Sequence, residues 1–147
     1  MQLTDTHCHL DYNKFDSDRA EVIQRANDSG LIRILVPGLQ HRSSSEALRL
    51  AESNPSVYAA VGFHPTDLED FSENTFQQVK ELAIHTKVVA IGEIGMDYYW
   101  VKENDKRAFQ REVLKHNYNL QRKSTSLSSF TCVKRMTHGL AKPLWIC

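Results

Sequence analysis

Acidic side chains are missing from the last quarter of this chain: none of the 18 aspartates and glutamates follows Glu112. The 35 residues beyond it carry six basic side chains, Lys115, Arg122, Lys123, Lys134, Arg135 and Lys142, so a formal net charge of zero conceals two unlike parts. That zero total points neither to a general nucleic-acid binder nor to a membrane-surface protein. Apolar runs are short, and none approaches the roughly 20 residues that a membrane span needs. The N-terminus has neither the basic stretch nor the apolar core of a secretory signal. Cysteine is scarce: three residues at wide spacing do not make a disulfide framework, which points to a reducing cytoplasm. What remains, 147 residues with 41% hydrophobic and 24% charged, is an ordinary globular composition with room for one domain.

Residues 1–112 alternate between two periods. Leu31–Val36 (LIRILV), Val57–Phe63 (VYAAVGF) and Val88–Ile94 (VVAIGEI) are apolar runs of strand length, rich in β-branched residues. Helical patterns separate them. Arg19–Ser29 sets Ala20, Ile23 and Ala26 at helix spacing, with Gly30 placed to end it. SSSE puts Ser43 three residues before Glu46, which reads as a capping box ahead of Ala47, Leu48, Leu50 and Ala51; Asn54-Pro55 stops that helix. A third pattern runs from Glu73 to His85 with Phe76, Val79, Leu82 and Ala83 inward. A fourth begins near Asp105, with Ala108, Phe109 and Val113 on one face.

With THCHL ending a first strand, the order is β-α four times over, which implies parallel pairing through crossovers. A barrel and an open doubly wound sheet both fit. His7 and His9, Pro37-Gly38, His64-Pro65 and Glu93 then fall at the C-terminal ends of successive strands, where a (β/α)8 barrel gathers its active-site residues. Four units are visible against the eight of such a barrel. Such a barrel typically runs to about 250 residues, so the strand-end residues favour it and the length does not.

In a strand, His7 and His9 share a face while Cys8 points the other way. Two imidazoles so placed suit one metal ion, and a solvated polar face is the even alternative. Glu93 tilts the balance, because a carboxylate inside an apolar strand needs a partner and a metal is a natural one. The flanking Gly92 and Gly95 read as room for a close approach. His64 fits a substrate contact as well as a helix-capping or packing role.

Taken together, THCHLD, VGFHP and GEIGMDYYW, in this order and spacing, resemble the TatD-type metal-dependent deoxyribonucleases of the amidohydrolase superfamily. The resemblance runs from Met1 to about Leu114. It implies a (β/α)8 barrel with two divalent ions (magnesium, manganese or zinc) that hydrolyses phosphodiester bonds, typically in DNA. It makes this chain the N-terminal half of such a barrel, four parallel β-α units plus an irregular tail; the short apolar runs imply no membrane partner. By position His7 and His9 match the first metal's histidines, Glu93 the bridging carboxylate, and His64 a pocket histidine that contacts substrate. The family's later ligands, two histidines and an aspartate that helps activate water, have no match here; His116 and His138 stand in no strand-like run. No catalytic residue is carried over, and the fragment is expected to be impaired. Hydrolysis of C–N bonds and a non-catalytic nucleic-acid-binding fragment are the alternatives.

Residues 1–114 thus read as a partial hydrolase barrel and 115–147 as a basic, irregular tail. A basic arm for nucleic acid is one account of the tail. Codon degeneracy favours another. Shifted by one base, LSSFTCVK permits P-V-V-I-H-L-R, which resembles the family's fifth-strand motif, and LQRKST permits A-E-K-I-N. A frameshift between roughly Leu114 and Leu120 restores acids and a helical pattern where both vanish.

Overall fold

The chain lays its strands side by side in the order in which it makes them. The computed structural model describes residues 2–123, 131–135 and 144–146. Strands β1 (Leu3–Asp5), β2 (Leu31–Pro37), β3 (Val57–Val61), β4 (Val88–Met96) and β5 (Thr131–Arg135) pair parallel in sequence order. Strand β6 (Leu144–Ile146) adds antiparallel to β5. Helices α1 (Arg19–Asp28), α2 (His41–Ser53), α3 (Glu73–Leu82) and α4 (Asn104–Lys123) fall between successive parallel strands. Right-handed crossovers in unbroken strand order place the helices on one face and curl the sheet, giving half of a (β/α)8 barrel. The four expected β-α units are present, and two of the tail's segments have the backbone of strands.

Alternation along the strands builds the core. Ile34 and Val36, Val57 and Ala59, and Val88 and Ala90 are buried, together with Ile23, Ala47, Ala51, Phe76 and Val79 from the helices. The intervening positions face the other way. Arg33, Leu35, Tyr58 and Val89 line an open cleft of about 290 Å³.

Local chemistry moves several boundaries. β1 ends at Asp5, before the histidines, because the Asp5 carboxylate accepts the His7 N–H (3.0 Å) in place of a neighbouring strand; the Cys8 N–H then bonds the Leu35 carbonyl (3.0 Å). α2 begins at His41, not at Ser43. Ser43 occupies the third helical position, and its hydroxyl reaches back to accept the N–H groups of Leu39 (2.7 Å) and Gln40 (3.1 Å). In α1, Ala20 is exposed and Val22 joins Ile23 and Ala26 against the core. α4 buries Gln110, Val113, Asn117 and Leu120 and leaves Phe109 43% exposed, so two amides hold places expected of apolar residues. Its helical period continues past Leu114 to Lys123.

The Pro37-Gly38-Leu39 turn links fold to site. The Gly38 carbonyl accepts the Glu93 N–H (2.9 Å), and the Leu39 carbonyl accepts the His64 N–H (2.8 Å). Gly38 itself has no room for a side chain: a Cβ there would lie 2.6 Å from the Ser44 Cα and 2.7 Å from the Ser44 nitrogen. Gly38→Ala must therefore push α2 off the turn. We expect it to cost about 1–3 kcal/mol of unfolding free energy by overpacking. A urea midpoint equal to that of the unaltered chain would contradict this.

Candidate metal centre

Three elements deliver the site. The segment after β1 carries His7 and His9, the segment after β3 carries His64, and β4 carries Glu93, which lies where the β4–β5 register shifts between Ile91 and Ile94. Such irregularities re-aim a side chain out of strict alternation. Glu93 is 5% exposed.

The donor atoms form a small triangle. His7 Nε2 and His9 Nε2 are 3.2 Å apart, and Glu93 Oε2 lies 3.6 Å from the first and 3.8 Å from the second. Metal–nitrogen and metal–oxygen bonds near 2.05 Å at tetrahedral angles put ligand atoms about 3.3 Å from one another. The observed edges match that spacing closely, so these residues fit a divalent ion. Protons do not oppose it. Burial pushes the His7 imidazole below its usual pKa, against the pull of Glu93, which favours the neutral ligand form. Burial alone would raise the Glu93 carboxyl, but the hydrogen bond from His64 and the charges of the three imidazoles outweigh it and hold the group below its ordinary value.

The carboxylate has a second side. Its other oxygen, Oε1, lies 3.5 Å from His64 Nε2. The far nitrogen of that ring, Nδ1, meets Thr66 Oγ1 at 2.7 Å and Asp67 Oδ2 at 3.2 Å, which fixes the ring plane. The structure thus brings together His7, His9, His64 and Glu93. Cys8, as the strand reading required, packs against the core instead. His116 sits edge-on to Phe71 and Phe76, at 5.6 and 5.0 Å, a packing role. His138 lies outside the described residues. The close approach assigned to Gly92 belongs to Gly62: a Cβ at Gly92 would meet only the Ala60 Cβ, at 3.9 Å, whereas one at Gly62 would lie 2.8 Å from Ile94 Cγ2. Gly95 is required by its backbone, at φ 152°.

Two carboxylates escaped the sequence reading. Asp67 is one. Asp11 is the other: its side chain is 5% exposed, and its Oδ1 lies 3.7 Å from His9 Nδ1. Neither atom has a hydrogen-bond partner among the described residues. A small ring rotation lets Nδ1–H donate to Oδ1, which turns the Nε2 lone pair toward the triangle. Tyr12 stacks on the same ring at 4.8 Å. The signal was available, as an aspartate two residues after a candidate ligand. We expect Asp11→Ala to weaken divalent binding by roughly 10–100-fold, as loss of an orienting partner does. An unchanged zinc or manganese titration would remove Asp11 from the site.

Known proteins share this arrangement of chain and fold. The chain is 41% identical over 118 residues to the Bacillus subtilis (strain 168) uncharacterized metal-dependent hydrolase YabD, covering 80% of this chain and 46% of that protein. It is 34% identical over 108 residues to the Escherichia coli (strain K12) 3'-5' ssDNA/RNA exonuclease TatD, covering 71% and 42%. The crystal structure of the Escherichia coli TatD homologue YjjV superimposes with a TM-score of 0.76 at 32% identity, over 90% of this chain and 51% of that one. The chain spans less than half the length of the curated relatives it matches. No helix among the described residues is long and apolar enough to cross a membrane. Residues 4–126 match the family model described as TatD related DNase, and with most of its length so matched the chain belongs to that family.

Proposed function

We propose that His7, His9 and Glu93 hold a divalent ion in a site for phosphodiester hydrolysis, with single-stranded nucleic acid as the substrate. The donor triangle carries the reading. The relatives named as ssDNA/RNA exonucleases support the substrate class. Two imidazoles and one carboxylate suit zinc or manganese better than magnesium. Held by His7, His9 and Glu93, such an ion would supply Lewis-acid polarisation of a phosphate and a more acidic water. Glu93 turns its second oxygen toward His64 at 3.5 Å, and His64, its ring plane fixed by Thr66 and Asp67, would be placed to meet the substrate. We infer that the 147-residue chain itself turns over little substrate, because the family's second-ion ligands have no counterpart among its motifs.

Two measurements test this. Calorimetry with zinc or manganese should show one divalent ion per chain; no binding overturns the hydrolase reading. A 5'-labelled single-stranded oligonucleotide should survive incubation with the metal-loaded chain but not with the Escherichia coli 3'-5' ssDNA/RNA exonuclease TatD. Metal-dependent cleavage by the monomeric chain, lost on His7→Ala, would overturn the inferred impairment. Binding of single strands with no need of metal or of His7 would instead favour a binding fragment. Nothing in the site favours C–N hydrolysis.

A further inference from the structure

The loop that leaves β4 toward α4 is built in an unusual way. Its tip exposes two aromatic rings, Tyr99 at 54% and Trp100 at 70%. They are locked edge to face, with centroids 4.8 Å apart and planes at 87°. Exposed rings on a slack loop would need no account, but this loop is held rigidly from beneath. The Asp97 side chain, 2% exposed, accepts the N–H groups of Tyr99 (2.8 Å) and Trp100 (2.9 Å) through one oxygen. Gln110, equally buried, accepts the Asp97 N–H (3.0 Å) and donates to the Asp97 carbonyl (3.2 Å) and the Pro65 carbonyl (3.0 Å). Arg107 donates to the carbonyls of Tyr98 and Val101 and lies over the Tyr98 ring at 4.7 Å. A side chain seven residues from Glu93 is thus fixed at the same strand-end of the sheet as the candidate metal centre.

We propose that Trp100, the more exposed ring, offers a stacking face to an unpaired base of single-stranded nucleic acid at the strand-end that carries the metal centre, braced at right angles by Tyr99. This rests on the phosphodiesterase reading and names how its substrate is gripped. Base–aromatic stacking tolerates any sequence, and rings already ordered lose little freedom on binding. Positive charge stands on the same segment: Lys102 Nζ lies over the Tyr99 ring, 5.2 Å from its centre, and donates to the Tyr98 carbonyl at 3.3 Å, and Arg111 donates to the Tyr98 hydroxyl at 3.1 Å. The nearby Glu103 is taken up by Lys106 at 3.0 Å. The link from Gln110 to Pro65, next to His64, ties the platform to the metal centre's own loop.

The test is equilibrium binding of a fluorescein-labelled 12-nucleotide single strand to the full chain, read by anisotropy in EDTA so that no hydrolysis intervenes. Trp100→Ala and Tyr99→Ala should each weaken binding about ten-fold, while Trp100→Phe keeps most of it. An abasic strand of equal charge should bind the unaltered chain and Trp100→Ala alike. Zinc titration should be unchanged in every variant. Equal binding of base-bearing strands by Trp100→Ala, equal binding of abasic and base-bearing strands by the unaltered chain, or no binding at all would each overturn the platform. A Trp100→Ala variant that melts earlier yet binds the strand unchanged would mark the ring as a packing contact and overturn it as well. The two readings fail separately: loss of metal binding sinks hydrolysis, and insensitivity to Trp100 sinks the platform.

Discussion

Glu93→Ala is expected to lower divalent affinity by at least about 100-fold, beyond the effect of losing an orienting partner and comparable to that of His7→Ala or His9→Ala. The reason lies in what each oxygen faces. Oε2 closes the triangle with both imidazoles at 3.6 and 3.8 Å, and Oε1 faces His64 at 3.5 Å. Removing the carboxylate takes away the third donor and the negative charge that offsets the cation's, leaving two neutral imidazoles that replace the ion's lost hydration poorly. Glu93→Gln separates charge from shape. It keeps the volume and one carbonyl oxygen but brings an N–H2 group, which cannot ligate. It should bind metal nearly as poorly as Glu93→Ala while unfolding closer to the unaltered chain. Titration with zinc and with manganese checks both. If Glu93→Gln binds as tightly as the unaltered chain, the carboxylate is not a ligand and the triangle falls.

Most of the scaffold could be read from period alone, because β2, β3 and β4 are apolar runs and the helices show one apolar face. Errors arose where a polar side chain took a structural place. Gln110 and Asn117 lie on the buried face of α4 with Val113 and Leu120, and a hydrophobic count passes over them in favour of Phe109, which the structure half exposes. Gln110 is tolerated there because its partners are close, satisfying both backbone groups of Asp97; Asn117 donates to the Val113 carbonyl at 3.0 Å while its Oδ1 has no hydrogen-bond partner among the described residues. SSSE misled for a related reason. A serine at the third helical position and one at the cap leave the same trace in sequence, and only the bonds from Leu39 and Gln40 tell them apart. The candidate ligands were legible because HxH and a buried glutamate are chemically costly without a partner. Asp11, two residues after a candidate ligand, was visible but given no role, and Asp67 was not legible, since it orients a histidine rather than presenting itself and short acidic residues near loops are common. Lys87 is a further case: its ammonium donates to the carbonyls of Asn54, Pro55 and Val57, joining the end of α2 to β3 in a way that no periodicity shows.

Reading the gene one base over in the tail is expected to restore a working enzyme. Two observations motivate this. Acids cease after Glu112. The codons of LQRKST and LSSFTCVK permit a helix end followed by an apolar run that closes in His-x-Arg. The family match reaches residue 126 and α4 runs to Lys123 in the present frame, which bears against this reading; the shift is sought between Leu114 and Leu120, ahead of LQRKST. The half barrel has a physical need for an opposing half. Leu35, Tyr58 and Val89 line an open cleft on the face that an intact barrel fills with its own side chains. The strand-ends in hand supply one donor triangle, and a two-metal site requires ligands from the other half. The restored chain should approach barrel length, about 250 residues, and should carry two more strand-end histidines and a late aspartate. It should bind two divalent ions where the 147-residue chain binds one, and should melt at a higher temperature. Its metal-dependent cleavage of single strands should exceed that of the present chain by roughly 100-fold or more, since even loss of orienting partners costs metal sites up to that much. Sequencing the locus decides the first step. A stop within a few shifted codons, or no apolar run before a histidine, ends the idea and leaves Lys134, Arg135 and Lys142 to be explained as a basic arm. An intact shifted frame whose product binds a single ion and cleaves nothing would place the loss of activity in the ligands themselves.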